Sequence, residues 1–204
     1  YGVVCEAVSG MRHLTGDPDR PAARVAVSLT DEITGTYAAY GVALAVLHKR
    51  ATGEGQCIDA ALYECAFSYM EPYVPAYEKT GFVPIRQGGR LPNSTPNNHY
   101  PTQDGRHIHI AAGNMPTWRR LAAAMGREDL LSDPRLQDQV ALNVYEDELD
   151  EVVGAWTAMH DLKDLEKKLD EAAVPAERIY TMVDVFEDPH YSARDMIVDV
   201  PDDD

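Results

Sequence analysis

The chain has 204 residues, of which 45% are apolar, and 18 basic against 34 acidic side chains give it a net charge of −16. This length allows one large domain or two small ones with a real hydrophobic core. Nucleic acid and anionic membrane surfaces both require a basic face, so we expect neither as a partner.

The acidic charge is concentrated in the second half of the chain. Residues 1–100 carry a net charge of −2, and residues 101–204 carry a net charge of −14. Such a step predicts two modules. The longest apolar run, 37–47, is too short to span a bilayer. Because the chain begins at Tyr1 inside an apolar run and without a methionine, we expect it to be a piece of a longer polypeptide.

The first part of the chain is predicted to alternate strands with helices, as in an α/β layer. A short helix or strand–helix element is predicted over 1–14, strands over 24–29 and 56–60, and helices over 33–50 and 62–77. Gly53 and Gly55 are expected to end the first long helix. They lack the GxGxxG or Walker surroundings of a phosphate-binding loop.

The second part is predicted to be a smaller α+β domain. Two β-prone runs flank Gln103-Asp104-Gly105, which is a hairpin signal. Helices are predicted over 116–125, 142–160 and 162–173, and a returning strand over 178–181. The predicted organisation is a large-domain part at 1–80, a linker and glycine loop at 81–97, the small domain at 98–176 and a return to the large domain at 177–204.

Cysteine and histidine usage gives little support for a metal site. Cys5, Cys57 and Cys65 form no CxxC motif, so we expect free thiols in a cytoplasmic protein. His107 and His109 share one face of a predicted strand. No carboxylate or cysteine lies at ligand spacing, so solvated histidines are favoured over a metal face.

Asp31 is the first candidate for chemistry, because it lies where a predicted strand passes into a helix. From the pattern alone an ordinary N-cap is the simpler interpretation. A carboxylate at a helix N-terminus is also held ionised and can act as a nucleophile, so both interpretations stay open. The adjacent glycines Gly88 and Gly89 are predicted either to expose backbone N–H groups or to form a plain turn.

The sequence around Asp31 resembles the class III CoA-transferases, also called the CaiB/BaiF family, which includes formyl-CoA transferase and carnitine CoA-transferase. The resemblance is carried by residues 31–35, 39–50 and 52–56. It continues in order along the chain through Tyr1 with 9–10 and 15–16, Pro96 with 100–105, 133–135, and 174–176 with 188–190 and 194–196.

The resemblance implies a fold, a site and a reaction. The fold would be a Rossmann-like large domain followed by a smaller α+β domain, in an interlocked homodimer. Asp31 would attack an acyl-CoA thioester, and a small carboxylic acid would accept the CoA, with no permanently bound cofactor and no metal. Tyr1, Leu62, Gly88 and Gly89 fall at positions that approach CoA or the acyl group in such enzymes.

The resemblance also leaves alternatives. The N-terminal nucleotide-fold segment and the C-terminal return segment of the family are not in this chain, so we expect the 204 residues alone to be inactive. In a related α-methylacyl-CoA racemase Asp31 would transfer a proton at the α-carbon, and in a non-catalytic CoA-ester-binding or structural module it would only cap a helix. Arg86 and Arg90 are candidates for binding a second carboxylate of the substrate.

Overall fold

The computed structural model describes residues 1–201; residues 202–204, the end of the predicted return segment, lie outside the described residues. The chain divides into two compact units, which we call unit 1 (Tyr1–Gly89) and unit 2 (Arg90–Asp204). The division falls inside the segment 81–97. The assignment of the flanking segments to a large and a small domain stays a prediction.

Unit 1 is helical. Its helices are α1 (Gly2–Val8), α2 (Met11–Leu14), α3 (Leu29–Thr52), α4 (Leu62–Phe67) and α5 (Tyr73–Thr80), with a short 3₁₀ helix at Ser68–Met70. Helix α4 packs against both α1 and α3. Gly53 ends α3 in the left-handed conformation, with φ +83°, which confirms its predicted role as a C-cap.

The prediction of strands over 24–29 and 56–60 is wrong. Neither segment pairs with another strand, and unit 1 contains no strand within residues 1–89, all of which the structure describes. Nearly all of these residues are exposed. A β-prone sequence forms a strand only where a neighbouring strand takes up its backbone N–H and C=O groups.

The predicted helix over 62–77 is interrupted. Helix α4 ends at Phe67, and α5 begins only at Tyr73, directly after Pro72. Proline lacks a backbone N–H and clashes with the preceding turn, so it is accepted at the start of a helix and not in its interior. Pro72 therefore separates the two helices.

Unit 2 is built on a three-stranded antiparallel sheet with helices packed on it. Its strands are β1 (Asn97–Pro101), β2 (His107–Ala111) and β3 (Ala176–Arg178), in the order β1-β2-β3. Its helices are α6 (Met115–Ala124), α7 (Glu128–Leu131), α8 (Gln139–Val144), α9 (Glu146–Thr157), α10 (Leu162–Glu171), α11 (Met182–Glu187) and α12 (Pro189–Ala193), with a 3₁₀ helix at Pro134–Leu136.

Three details of unit 2 bear on the predictions. The hairpin around Asp104-Gly105 is confirmed, and Gly105 has φ +75°. The helix predicted over 142–160 is two helices, because the backbone leaves the helical region at Tyr145 and the acidic run that follows favours a new N-terminus. The returning strand lies at Ala176–Arg178, earlier than predicted, because its ladder with β2 pairs Ile110 with Ala176.

The hydrophobic core of unit 2 encloses one face of the sheet and the inner faces of its helices. Among its fully buried members are Ile108, Trp118, Leu142 and Leu165. No helix among residues 1–201 is long and apolar enough to cross a membrane.

Candidate active site

Asp31 lies in the first turn of α3 and not at its N-cap. The N-cap is Ser28, whose carbonyl oxygen accepts hydrogen bonds from the backbone N–H groups of Asp31 and Glu32, both at 3.1 Å. The interpretation of Asp31 as an N-cap is therefore wrong. Its carboxylate is exposed and lies at the helix end where the dipole favours negative charge.

Asp31 lines a cavity of about 450 Å³ within unit 1. The wall is formed by the start of α1, the segment before α3 and the first turn of α3. Tyr1 and Asp31, both predicted as site residues, are brought together here. The cavity also includes Gly2, Glu6 and Arg24, which no motif in the sequence marks as site residues.

Gly2 allows α1 to approach the carboxylate of Asp31 closely. A Cβ atom at Gly2 would lie 2.2 Å from Asp31 Oδ2 and 2.7 Å from Thr30 Oγ1. The buried Thr30 hydroxyl in turn donates to Asp31 Oδ2 at 3.4 Å. The carboxylate is thus confined by backbone on one side and by a hydroxyl on the other.

Glu6 is a buried carboxylate, with only 3% of its surface exposed. Its Oε1 accepts hydrogen bonds from Arg12 Nε at 3.4 Å and from the backbone N–H of Val25 at 3.2 Å. A buried charge is tolerated when it is paired and hydrogen-bonded. Glu6 therefore ties α1 to the segment that leads into α3, and its charge is matched by Arg12.

Leu62, Gly88 and Gly89 do not line this cavity. Leu62 is the first residue of α4 and is half-buried. Gly88 has φ +63°, and its backbone N–H donates to the carbonyl of Gly16 at 3.0 Å. That N–H is thereby occupied in unit 1. The assignment of these three residues to the CoA site stays a prediction.

Arg86 holds a loop of unit 1 together. Its guanidinium donates hydrogen bonds to three backbone carbonyls, those of His13, Asp17 and Arg20, at 3.1, 3.1 and 3.2 Å. Three carbonyls satisfied by one guanidinium fix the fold of residues 13–20. The hypothesis that Arg86 binds a substrate carboxylate is therefore wrong for this arrangement.

Arg90 is likewise committed to the protein, within unit 2. Its Nε donates to Asp150 Oδ2 at 2.6 Å, and its NH2 donates to Asp147 Oδ1 at 2.7 Å. Glu146 adds a third carboxylate at 3.5 Å. A cation with three carboxylate partners is not free to recruit another, so the hypothesis for Arg90 is also wrong.

The histidines of unit 2 lie along the hairpin. His99 is paired with His109 across β1 and β2, and the rings of His99 and His107 are 5.7 Å apart. Burial, with a smaller contribution from His99, lowers the pKa of His109, whose Nε2 lies 2.9 Å from Asn97 Oδ1. Across residues 1–201 no three His, Cys, Asp or Glu side chains come together in a geometry that could hold a metal ion.

A family model described as CoA-transferase family III matches residues 1–204. The chain belongs to this family. The resemblance noted from the sequence is thereby confirmed over the whole chain.

Two curated members of CoA-transferase family III are similar to this chain. "Succinyl-CoA–D-citramalate CoA-transferase" of Chloroflexus aurantiacus is 40% identical over 204 residues, which are 100% of this chain and 51% of that protein. "Succinyl-CoA:mesaconate CoA-transferase" of Haloarcula hispanica is 34% identical over 201 residues, which are 98% of this chain and 50% of that protein. The chain spans about half the length of the curated relatives it matches.

The fold is shared with a solved member of the family. A crystal structure of a CaiB/BaiF family protein from Brucella suis matches with a TM-score of 0.83 and 31% identity, covering 98% of this chain and 52% of that one. The predicted α/β fold class is confirmed. Asp31 is the residue on which the family resemblance places the catalytic aspartate, and the cavity gives that residue its surroundings.

Proposed function

We propose that the protein carrying this chain is a CoA-transferase that moves CoA from an acyl-CoA thioester to a small carboxylic acid, with Asp31 as nucleophile. One observation supports it above all: the exposed Asp31 carboxylate lies in a 450 Å³ cavity at the N-terminus of α3, in a chain of family III. The two relatives are named for succinyl-CoA, citramalate and mesaconate, so we propose dicarboxylic substrates.

The proposed reaction passes through anhydride and thioester states of Asp31. A carboxylate oxygen attacks the thioester carbon, the C–S bond breaks, and CoA leaves as a thiolate, which gives an aspartyl–acyl anhydride. The thiolate then attacks the aspartyl carbonyl carbon, so that the donor acid leaves as a carboxylate and an aspartyl-CoA thioester remains. The acceptor carboxylate attacks that thioester, and the C–S bond breaks to give a second anhydride and the CoA thiolate. The thiolate then attacks the acceptor's acyl carbon, which forms the product thioester and frees the carboxylate of Asp31.

The surroundings of Asp31 suit a nucleophile that must be fixed in position. The backbone at Gly2 and the hydroxyl of Thr30 restrict where its oxygens can lie. Such restriction brings the attacking oxygen to the thioester carbon at little further entropic cost.

We also propose a homodimer in the cytoplasm. Large apolar side chains are exposed along α3, including Tyr40 at 65% and Leu47 at 60%, and burying them would favour association. The free thiols of Cys5, Cys57 and Cys65 suit a reducing compartment. Light scattering of the full-length protein should give twice the chain mass, and a monomer would contradict the dimer. We expect the 204 residues alone to lack activity.

Trapping with hydroxylamine tests the proposed function. The full-length protein is incubated with succinyl-CoA and hydroxylamine, and the peptide containing Asp31 is analysed by mass spectrometry. We expect a hydroxamate on Asp31, the same adduct in Glu32→Gln, and none in Asp31→Asn. Exchange of the α-proton in D2O without an adduct would establish the racemase instead. Binding of acyl-CoA with neither adduct nor exchange, unchanged in Asp31→Asn, would establish a non-catalytic module.

A further inference from the structure

Arg24 is a cation in the same cavity as the nucleophile. It lies on the exposed segment between α2 and α3 and lines the 450 Å³ cavity together with Asp31. We propose that Arg24 is a specificity-determining residue, which binds the distal carboxylate of a dicarboxylic acyl group while Asp31 attacks its thioester end. This inference rests on the proposed function.

Arg24 has no ion-pair partner among the charged side chains of the cavity. Two carboxylates, Glu6 and Asp31, face the cavity with it. Glu6 is already paired with Arg12 and with the N–H of Val25. Among residues 1–201, the guanidinium of Arg24 takes part in neither a side-chain hydrogen bond nor an ion pair. Arg24 is therefore the cation of this cavity that is available to an incoming anion.

A carboxylate is the anion that this position favours. A guanidinium presents parallel N–H groups that bind a carboxylate in a bidentate manner and so fix its orientation. In a short dicarboxylic acyl group the second carboxylate lies only a few bonds from the reacting carbon. The phosphates of CoA lie beyond the pantetheine arm, far from the thioester. A cation that lines the same cavity as the nucleophile is thus suited to the acyl group.

The neighbouring arginines have other partners. Arg86 is held by three backbone carbonyls, and Arg12 by Glu6. Arg20 lies in the same loop as Arg24 and is exposed, but it pairs with Asp17 at 3.7 Å and does not line the cavity. Arg20 is therefore a matched control for Arg24.

The test compares two donors that differ in one carboxylate. Full-length wild-type protein and the variants Arg24→Ala, Arg24→Lys and Arg20→Ala are assayed with succinyl-CoA and with butyryl-CoA. Because a hydrogen-bonded charge pair is lost, we expect Arg24→Ala to lower kcat/KM for succinyl-CoA by about 10²-fold. Butyryl-CoA should be affected by less than about 3-fold, Arg24→Lys should retain part of the preference, and Arg20→Ala should behave like wild type.

Three results would overturn the inference. The first is an equal fall in kcat/KM for both donors in Arg24→Ala, which would indicate the CoA phosphates as the ligand of Arg24. The others are an unchanged kcat/KM for succinyl-CoA in Arg24→Ala and a wild-type protein without preference for succinyl-CoA. The hydroxamate on Asp31 separates these from failure of the proposed function. If wild type forms the adduct and Arg24→Ala keeps its preference, only the role of Arg24 is refuted. If wild type forms no adduct, the nucleophile itself is refuted.

Discussion

The two units differ in where their apolar side chains lie. Unit 2 encloses a continuous cluster of seventeen buried apolar residues, whereas the buried apolar side chains of unit 1 are Ile33 and Ala66 alone, with all of its residues described. Unit 1 instead buries polar groups next to its cavity, Glu6 and Thr30 among them. The candidate chemistry and most of the packing energy therefore reside in different parts of the chain.

The sharpest test of this separation is Asp31→Asn. The amide keeps the size of the side chain but cannot attack a thioester, so kcat of the full-length protein should fall by about 10³-fold or more. Its melting temperature should change little, since Asp31 is exposed. Glu32→Gln, one residue along α3, is the control and should keep its activity. A large loss of stability in Asp31→Asn would show that the residue is structural.

Truncation of a core side chain in unit 2 should, in contrast to Asp31→Asn, lower the stability of the protein. Leu165 is fully buried, and Leu165→Ala should lower the free energy of unfolding by about 2–5 kcal/mol. Leu47→Ala, at an exposed leucine of α3, should change it by less than about 0.5 kcal/mol in the 204-residue chain. Both units contain helices, so urea unfolding followed by far-ultraviolet circular dichroism reports on both of them. Equal losses in both variants would refute the contrast.

Alanine substitutions at two glycines of unit 1 distinguish the geometry of the site from the stability of a helix. In Gly2→Ala the new Cβ would collide with Asp31 Oδ2, so the carboxylate must move and kcat should fall by about 10²-fold. Gly35 lies in α3 with nothing within 4 Å of an added Cβ, so Gly35→Ala should keep its activity and gain up to about 1 kcal/mol. Steady-state kinetics and thermal unfolding of both variants check this, and an active Gly2→Ala would contradict the close approach.

The smallest effect expected is a pH dependence in unit 2. Hydrogen bonds from the hydroxyl and N–H of Thr181, with Arg106 nearby, hold the pKa of Asp184 well below its usual range. A lowered pKa contributes stability that is present above the carboxyl's ordinary pKa, about 4, and is lost as pH falls through the folded value. Asp184→Asn should therefore melt below wild type at neutral pH, and the gap should close in acid. Asp170→Asn, at an exposed carboxylate, is the control. A difference in melting temperature between Asp184→Asn and wild type that stays constant with pH would contradict the lowered pKa of Asp184.

Much of the fold was predictable because its signals are local. The small residues at helical spacing before Gly53 predict α3, and Asp104-Gly105 predicts the hairpin. The segments 24–29 and 56–60 were predicted wrongly because strand formation depends on a partner, which their own residues do not reveal. Pro72 was a visible signal that should have divided the helix over 62–77.

The proposed nucleophile could be predicted from the sequence, whereas its surroundings could not. Asp31 follows from the family resemblance and from its position near the start of a predicted helix. Gly2 lies 29 positions before Asp31 and Arg24 lies 7 positions before it, and no pattern in the sequence shows that both line one cavity with Asp31. Arg86 was wrongly predicted to bind substrate, because the sequence does not show that its guanidinium binds three backbone carbonyls.

Most residues of helix α3 are exposed, which matters for hydrogen-exchange measurements. Its 24 residues extend over about 36 Å, and amide hydrogens of an uncovered helix exchange with solvent far faster than those of a covered one. Deuterium uptake along Leu29–Thr52 therefore records, turn by turn, how much of the helix is enclosed in any preparation of the protein. The peptide that carries Asp31 would then report substrate binding at one end of α3 and assembly along the rest.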